Sequence, residues 1–153
     1  MMCMKNEAVQ VVVAGVLPIH SGAAIFIEEP SGKVFLIPID HSTGTAIQMA
    51  MEKENAERPL THDLMVLMIE SFGATLQRVI INDYVDEIFY ARLVLHADNE
   101  LGQKKIVELD ARPSDCIALA MRLDAPVYAT RNVLDAVDDI SKEVRDIISQ
   151  TSR

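Results

Sequence analysis

Asp110, Arg112, Ser114 and Asp115 are the residues of this chain whose types and spacing could do chemistry. Two carboxylates this close can hold a divalent cation, and a guanidinium between them can grip a phosphate oxygen. Their setting is Leu109-Asp110-Ala111-Arg112-Pro113-Ser114-Asp115-Cys116. Alternation stops at Asp110 and a 3.6-residue pattern starts after Pro113, so the stretch runs from a strand end through a turn into a helix. Proline suits the first helical turn and keeps the residue before it out of helical angles. Arg112 is therefore the expected N-cap, and Asp115 falls in the first turn, where a negative charge favours the helix dipole. Asp110 and Arg112, two apart in extended chain, point the same way. The three are expected to converge on one helix start. As chemistry, Asp110 and Asp115 hold the ion while Arg112 and Ser114 meet the phosphate. As architecture, Arg112 bridges the two carboxylates and Asp115 caps its own helix. Ordinary helix starts look like this, which weights the second reading.

His62 and Asp63 lie at another expected helix start, where backbone N–H groups bind anions and a histidine can act as general base. The plainer account has Thr61 as N-cap, Asp63 serving the dipole and His62 bonded to a nearby strand. Asp40 and His41 look like a ligand pair, but adjacent residues seldom point at one site. His20 and His96 sit beside turns and read as surface residues. Cys116, in an apolar helix, reads as a buried thiol, and with Cys3 it makes neither a metal knuckle nor a redox pair. Glu52, Glu54 and Glu57 read as a solvated helix face. No P-loop, dinucleotide fingerprint, Ser-His-Asp order or zinc spacing occurs.

The elements that must position these residues follow from periodicity. Val9 to Leu17 and Ala23 to Glu28 read as strands, and Lys33 to Ile39 as a third, hairpin-linked through Glu29-Pro30-Ser31-Gly32. Asp40 to Thr45 supplies capping residues before a helix from Ala46 to about Asn55. A second helix runs from Thr61 to a stop at Gly73. Leu64 to Ile69 with Phe72 make it apolar nearly all round, so it wants cover on two sides, and an oligomer interface would supply that. Thr75 to Asn82 and Glu87 to His96 alternate as antiparallel strands joined through Asp83 to Asp86. Lys104 to Leu109 is the strand entering the opening motif, and Val127 to Ala129 is a short strand after it. Asn132 to Val137 and Lys142 to Ser149 are short helices, the last with Val144, Ile147 and Ile148 inward. Strands, helices, strands, helix, strand in that order predict an α+β domain with a mixed sheet.

At 153 residues the chain suits one domain with a sizeable core, and half its residues are hydrophobic although it has no Trp. The core must be aliphatic. A formal net charge of −9 argues against sequence-independent binding of a phosphate backbone, which normally shows as a basic face. A divalent metal can still bring a nucleic acid to an acidic protein. The Val11 to Leu17 run is too short to span a membrane and ends at Pro18 without a small-residue cleavage site, so a cytoplasmic location is expected.

Three segments carry a resemblance: Arg58-Pro59-Leu60-Thr61-His62-Asp63-Leu64, Phe89-Tyr90-Ala91-Arg92-Leu93, and Asp110-Ala111-Arg112-Pro113-Ser114-Asp115-Cys116-Ile117-Ala118-Leu119-Ala120 with Ala125-Pro126-Val127-Tyr128. They closely resemble the bifunctional nuclease family, over roughly residues 33–133. The resemblance implies a compact α+β domain forming dimers or higher homo-oligomers, and hydrolysis of both DNA and RNA. Before the first helix the family pattern reads apolar-Trp-Ile-Gly with an acid three positions later. Here the Trp and Gly positions hold Pro38 and Asp40, and the acid's position holds Thr43. If that acid binds metal in other members, this chain has lost a ligand or moved it to Asp40.

The expectations are these. The chain is a single α+β domain with a mixed, largely antiparallel sheet packed with helices, followed by a C-terminal helix at about residues 141–150. It is a metal-assisted nuclease of low sequence specificity, with Mg²⁺ or Mn²⁺ on Asp110 and Asp115. Asp110, Asp115, His62 and Asp63 are catalytic, and Arg112 and Ser114 bind substrate. It is a homodimer or higher homo-oligomer with nucleic acid as substrate and no membrane contact. The competing reading is a non-catalytic homo-oligomeric module that binds a ligand or a protein, in which the same residues are ion pairs and caps.

Overall fold

The computed structural model describes residues 7–151, so Cys3 lies outside the described residues. The chain runs β1 (Ala8–Ile19), β2 (Gly22–Glu28), β3 (Val34–Ile39), α1 (His41–Met51), α2 (Thr61–Ser71), β4 (Ala74–Val85), β5 (Ile88–Asp98), β6 (Lys104–Ala111), α3 (Pro113–Leu123), β7 (Val127–Thr130), α4 (Arg131–Ala136), α5 (Ser141–Thr151). The strands make one sheet in the order β3-β2-β1-β7-β4-β5-β6. Neighbours are antiparallel except β4 and β7, which run parallel with Val79 opposite Val127 and Ile81 opposite Ala129. A parallel neighbour needs a crossover. β5, β6 and α3 supply it, and α3 returns the chain from the sheet edge to its centre. The mixed sheet and α+β class match the reading of the sequence.

The core is the apolar face of that sheet closed by α1 and α3. Ile25, Ile27, Val79 and Ile81 on strands meet Ile47, Ile117 and Leu119 on helices, all at 1% exposure or less. Burying each such side chain stabilises the fold by about 1.5–3 kcal/mol. α1 lies close to the sheet at Gly44, where an added Cβ would stand 2.7 Å from the Cβ of Ala23. Cys116 is fully buried, as its apolar setting predicts.

Three element boundaries differ from the sequence reading for local reasons. α1 begins at His41, because the Asp40 side chain accepts from the Thr43 N–H at 2.8 Å and makes the polar run its first turn. The N-cap of α2 is Leu60 instead of Thr61. Leu60 has no side-chain acceptor, and the cap is one-sided: Asp63 Oδ2 accepts from the Leu60 N–H at 2.9 Å. Gly73, at φ +71, follows the end of α2 as expected. β4 continues through Val85, which shortens its link to β5 to Asp86 and Glu87, at φ 50 and 63. Two central residues with positive φ give the tight turn whose twist matches the strands. Finally, Val144, Ile147 and Ile148 of α5 face a shallow 220 Å³ cleft beside β1 and Phe26, but Ile147 and Ile148 stay 55% and 60% exposed. His96 is also less exposed than a surface residue. Its Nε2 is buried without a hydrogen-bond partner among the described residues.

Candidate functional site

α3 starts where the sequence places it. Arg112 is the N-cap with extended angles (φ −64, ψ 140), Pro113 occupies the first turn, and Asp115 is the first-turn acid. The helix is anchored by a buried stripe of Cys116, Ile117, Leu119 and Ala120, which holds its N-terminal end at the sheet edge.

Asp115 is the hub. Its Oδ2 accepts from Arg112 Nε at 2.8 Å, and its Oδ1 lies 3.0 Å from His62 Nε2. An ionised carboxylate only accepts, so the His62 proton sits on Nε2. His62 is 8% exposed, and this bond satisfies a ring that would otherwise be stranded among apolar groups. The starts of α2 and α3 are thereby tied together. Burial pushes the Asp115 carboxyl up, but the hydrogen bonds and positive charges of Arg112 and His62 outweigh it and hold it below its ordinary range. Asp115 in turn raises the Arg112 guanidinium, through their hydrogen bond first and its charge second.

Arg112 also reaches Asp40, with Nη1 3.9 Å from Oδ2. Asp40 accepts from the Ser42 hydroxyl at 2.7 Å and from the N–H and hydroxyl of Thr43 at 2.8 and 2.7 Å. These bonds, led by Ser42, hold its carboxyl far below the ordinary aspartate range. Thr43, with Ser42, thus fixes the Asp40 carboxylate. Around Arg112 and Asp40 opens a cleft of about 510 Å³, lined also by Ser114, Pro38, Ile88, Glu87 and Ile19. Ser114 is 6% exposed and no hydrogen bond of its hydroxyl occurs among the described residues. The Arg112 side chain is 68% exposed.

The other expected site residues stand elsewhere. Asp63 pairs with Arg122, Oδ1 to Nε at 3.1 Å in a geometry too bent for a hydrogen bond, while Arg122 Nη1 donates to the Glu54 carbonyl at 3.1 Å. Neighbours on a helix point about 100° apart, so His62 and Asp63 diverge to different partners. Asp110 belongs to β6 opposite Arg92, and its side chain makes no hydrogen bond or ion pair among the described residues. It does not join Arg112 and Asp115 in a triad. Burial, then the charges of Asp115 and Asp110, push the Cys116 thiol up to about 12, which suits an inert core thiol.

The arrangement does not fit Mg²⁺ or Mn²⁺ as it stands. Both oxygens of Asp115 are engaged, a cation beside them would meet the Arg112 guanidinium, and no three His, Cys, Asp or Glu side chains among the described residues group as ligands. What the cleft can do is hold an anion: a forked cation at its mouth and a hydroxyl without a partner in its wall.

Asp115 also sets a pH dependence. Its folded-state pKa is lowered, so its stabilising contribution is complete above the unfolded value of roughly 3.9 and is lost as pH falls through the folded value. Asp115→Asn is therefore expected to melt below the wild type at pH 7. In thermal melts over acidic pH the two curves should converge, both keeping the slope that Asp40 and Asp139 supply. Parallel curves would contradict the role given to Asp115.

A seven-stranded α+β domain with an open cleft around Arg112 at a helix start is the class that the fold and site define. The family model for the bifunctional nuclease domain matches residues 25–141, and the chain belongs to that family. It is 34% identical over 112 residues to an uncharacterized protein of Mycobacterium tuberculosis, covering 72% of this chain and 63% of that one. It is 26% identical over 134 residues to Bifunctional nuclease 1 of Oryza sativa subsp. japonica, covering 86% and 39%. With Bifunctional nuclease 2 of Arabidopsis thaliana it shares 26% over 113 residues, covering 73% and 33%. The chain spans less than two thirds of the length of these relatives. Among the described residues no helix is long and apolar enough to cross a membrane.

Sequence reasoning missed the far wall of this cleft. Glu87 and Ile88 come from the β4–β5 tip and Ile19 from the end of β1, and no local pattern marks them. Asp40 was legible as a cap, and its place beside Arg112 needed the fold.

Proposed function

We propose that the chain is a nuclease that hydrolyses phosphodiester bonds of DNA or RNA with low sequence specificity, and that the cleft at Arg112 receives the phosphate. The observation that carries this reading is an Arg112 fork held by Asp115 at the mouth of a 510 Å³ cleft, 68% exposed and beside the partnerless Ser114 hydroxyl. Family membership and the names of the plant relatives support it. Arg112 and Ser114 would bind the phosphate, Asp115 would position Arg112, and His62 would position Asp115. Glu87, a cleft carboxylate without a hydrogen bond or ion pair among the described residues, is the group free to accept a proton from an attacking water. Asp63 and Asp110 take no part in the cleft. The purified chain is expected to cleave single-stranded RNA or DNA, and Arg112→Ala and Glu87→Gln to lose that activity. Parallel assays with Mg²⁺, Mn²⁺ and chelator decide whether a metal is needed, and equal residual cleavage by all variants would mark a contaminant.

The non-catalytic reading keeps one specific observation in its favour. Arg112 already faces two carboxylates, Asp115 and Asp40, so a phosphate must compete with them in a chain of net charge −9.

We further propose self-association through α2. His62 is the buried residue of this helix, whereas Leu64, Leu67, Met68 and Phe72 are 53, 47, 52 and 80% exposed. Two acidic copies meeting on this face would bring few carboxylates together, Glu70 being the exposed acid of the helix. Light scattering is expected to give a dimer or larger mass, with Phe72→Glu shifting it toward the monomer. A monomer mass for the wild type would refute this.

A further inference from the structure

The cleft at Arg112 has a second character beside its cation. Ile19, Pro38 and Ile88 are exposed at its rim, Ile19 at 41% and Ile88 at 55%, and Phe89 stands behind Ile88. Phe89 is fixed by tilted contact with Tyr84, ring centroids 4.3 Å apart, and by stacking on Phe35 at 6.0 Å. The apolar wall is therefore backed by the core. Its charged lining is one cation, Arg112, against two carboxylates, Asp40 and Glu87. A single phosphate finds Arg112 and the Ser114 hydroxyl.

We propose that this cleft takes one unpaired nucleotide, its phosphate on Arg112 and Ser114 and its base against Ile19, Pro38 and Ile88. The proposal rests on the reading of Arg112 as the phosphate grip, and it names the substrate class of that site. Three features point to it together. The volume of about 510 Å³ lies within the roughly 300–1,000 Å³ of sites that enclose one small ligand. The exposed aliphatic rim suits the face of a base, which in a duplex is already covered by its stacked neighbours. Two carboxylates accept from the hydroxyls of a sugar or the amines of a base, while they repel the run of phosphates along a duplex. A basic groove for tracking a backbone would need several cations, and this cleft has Arg112.

Equilibrium binding on the full chain tests it, with inorganic phosphate, adenosine 5′-monophosphate, a short single-stranded oligonucleotide and a blunt duplex of the same sequence as probes. The expected result is that the monophosphate binds about tenfold or more tightly than phosphate, as the contribution of one stacked base would give. The single strand should bind and the duplex should not. Ile88→Ala, at an exposed hairpin position where folding is little affected, should narrow the gap between nucleotide and phosphate. Equal affinity for phosphate and nucleotide, or equal affinity for single strand and duplex, would overturn the proposal. Cleavage assayed on the same samples separates the two readings. Nucleotide binding without cleavage removes the nuclease and keeps this site, whereas equal cleavage of duplex and single strand keeps the nuclease and removes this site.

Discussion

Arg112→Ala is expected to lower kcat/KM for single-stranded RNA or DNA by about 10²–10³-fold while lowering the melting temperature only slightly, by less than Asp115→Asn does. The size follows from removing one donor aimed at developing negative charge, a loss of about 2.7–4 kcal/mol in comparable sites. The fold is spared because the side chain is 68% exposed and its ion pair with Asp115 is open to solvent on the arginine side. Arg112→Lys should recover only part of the loss. Lysine keeps the charge but cannot hold Asp115 and a phosphate with one planar fork. Asp115→Asn should be milder on turnover than Arg112→Ala, since it loosens the guanidinium without removing it. Steady-state kinetics with matched thermal melts check all three. A large stability loss in Arg112→Ala would mean that the residue is a structural clasp.

Leu119→Ala is expected to destabilise the chain by about 2–5 kcal/mol. Leu119 is 1% exposed, on the face of α3 that meets the sheet, and truncation leaves a cavity that a tightly backed helix cannot collapse. Against a total stability of about 5–15 kcal/mol this is a large share. The effect reaches the site because the same helix carries Arg112, Ser114 and Asp115 at its start. Urea unfolding measures it, with Ile106→Ala as the contrast: Ile106 is 64% exposed on the edge strand, and its loss should stay within about 0.5 kcal/mol. Equal destabilisation by the two substitutions would contradict the packing described.

Much of this architecture could be read from residues alone, because strand alternation and the Pro113 start are local signals. The Arg112 N-cap, the first-turn Asp115, the buried Cys116 and the stop at Gly73 all follow from short-range chemistry. The site was legible only in part. Arg112, Ser114, Asp115 and His62 do meet at one corner, but Asp63 turns to Arg122 and Asp110 stays on β6. Helix periodicity separates His62 from Asp63, and that separation becomes informative only when α3 is known to lie alongside. Asp40 joins Arg112 across about seventy residues of chain, a contact set by sheet order. The β4–β5 tip reaches the same cleft for the same reason, and its two positive-φ residues, Asp86 and Glu87, give no sequence warning of what they overhang.

Arg112 is the residue proposed to meet a phosphate. Following the Arg112 side-chain ¹⁵Nε signal and the backbone amides while a short single-stranded oligonucleotide is added tests it most directly. The account predicts saturable shifts that are largest at Arg112, Ser114 and the residues around Asp40 and Ile88. A silent Arg112, with shifts absent or gathered on another face, would contradict it.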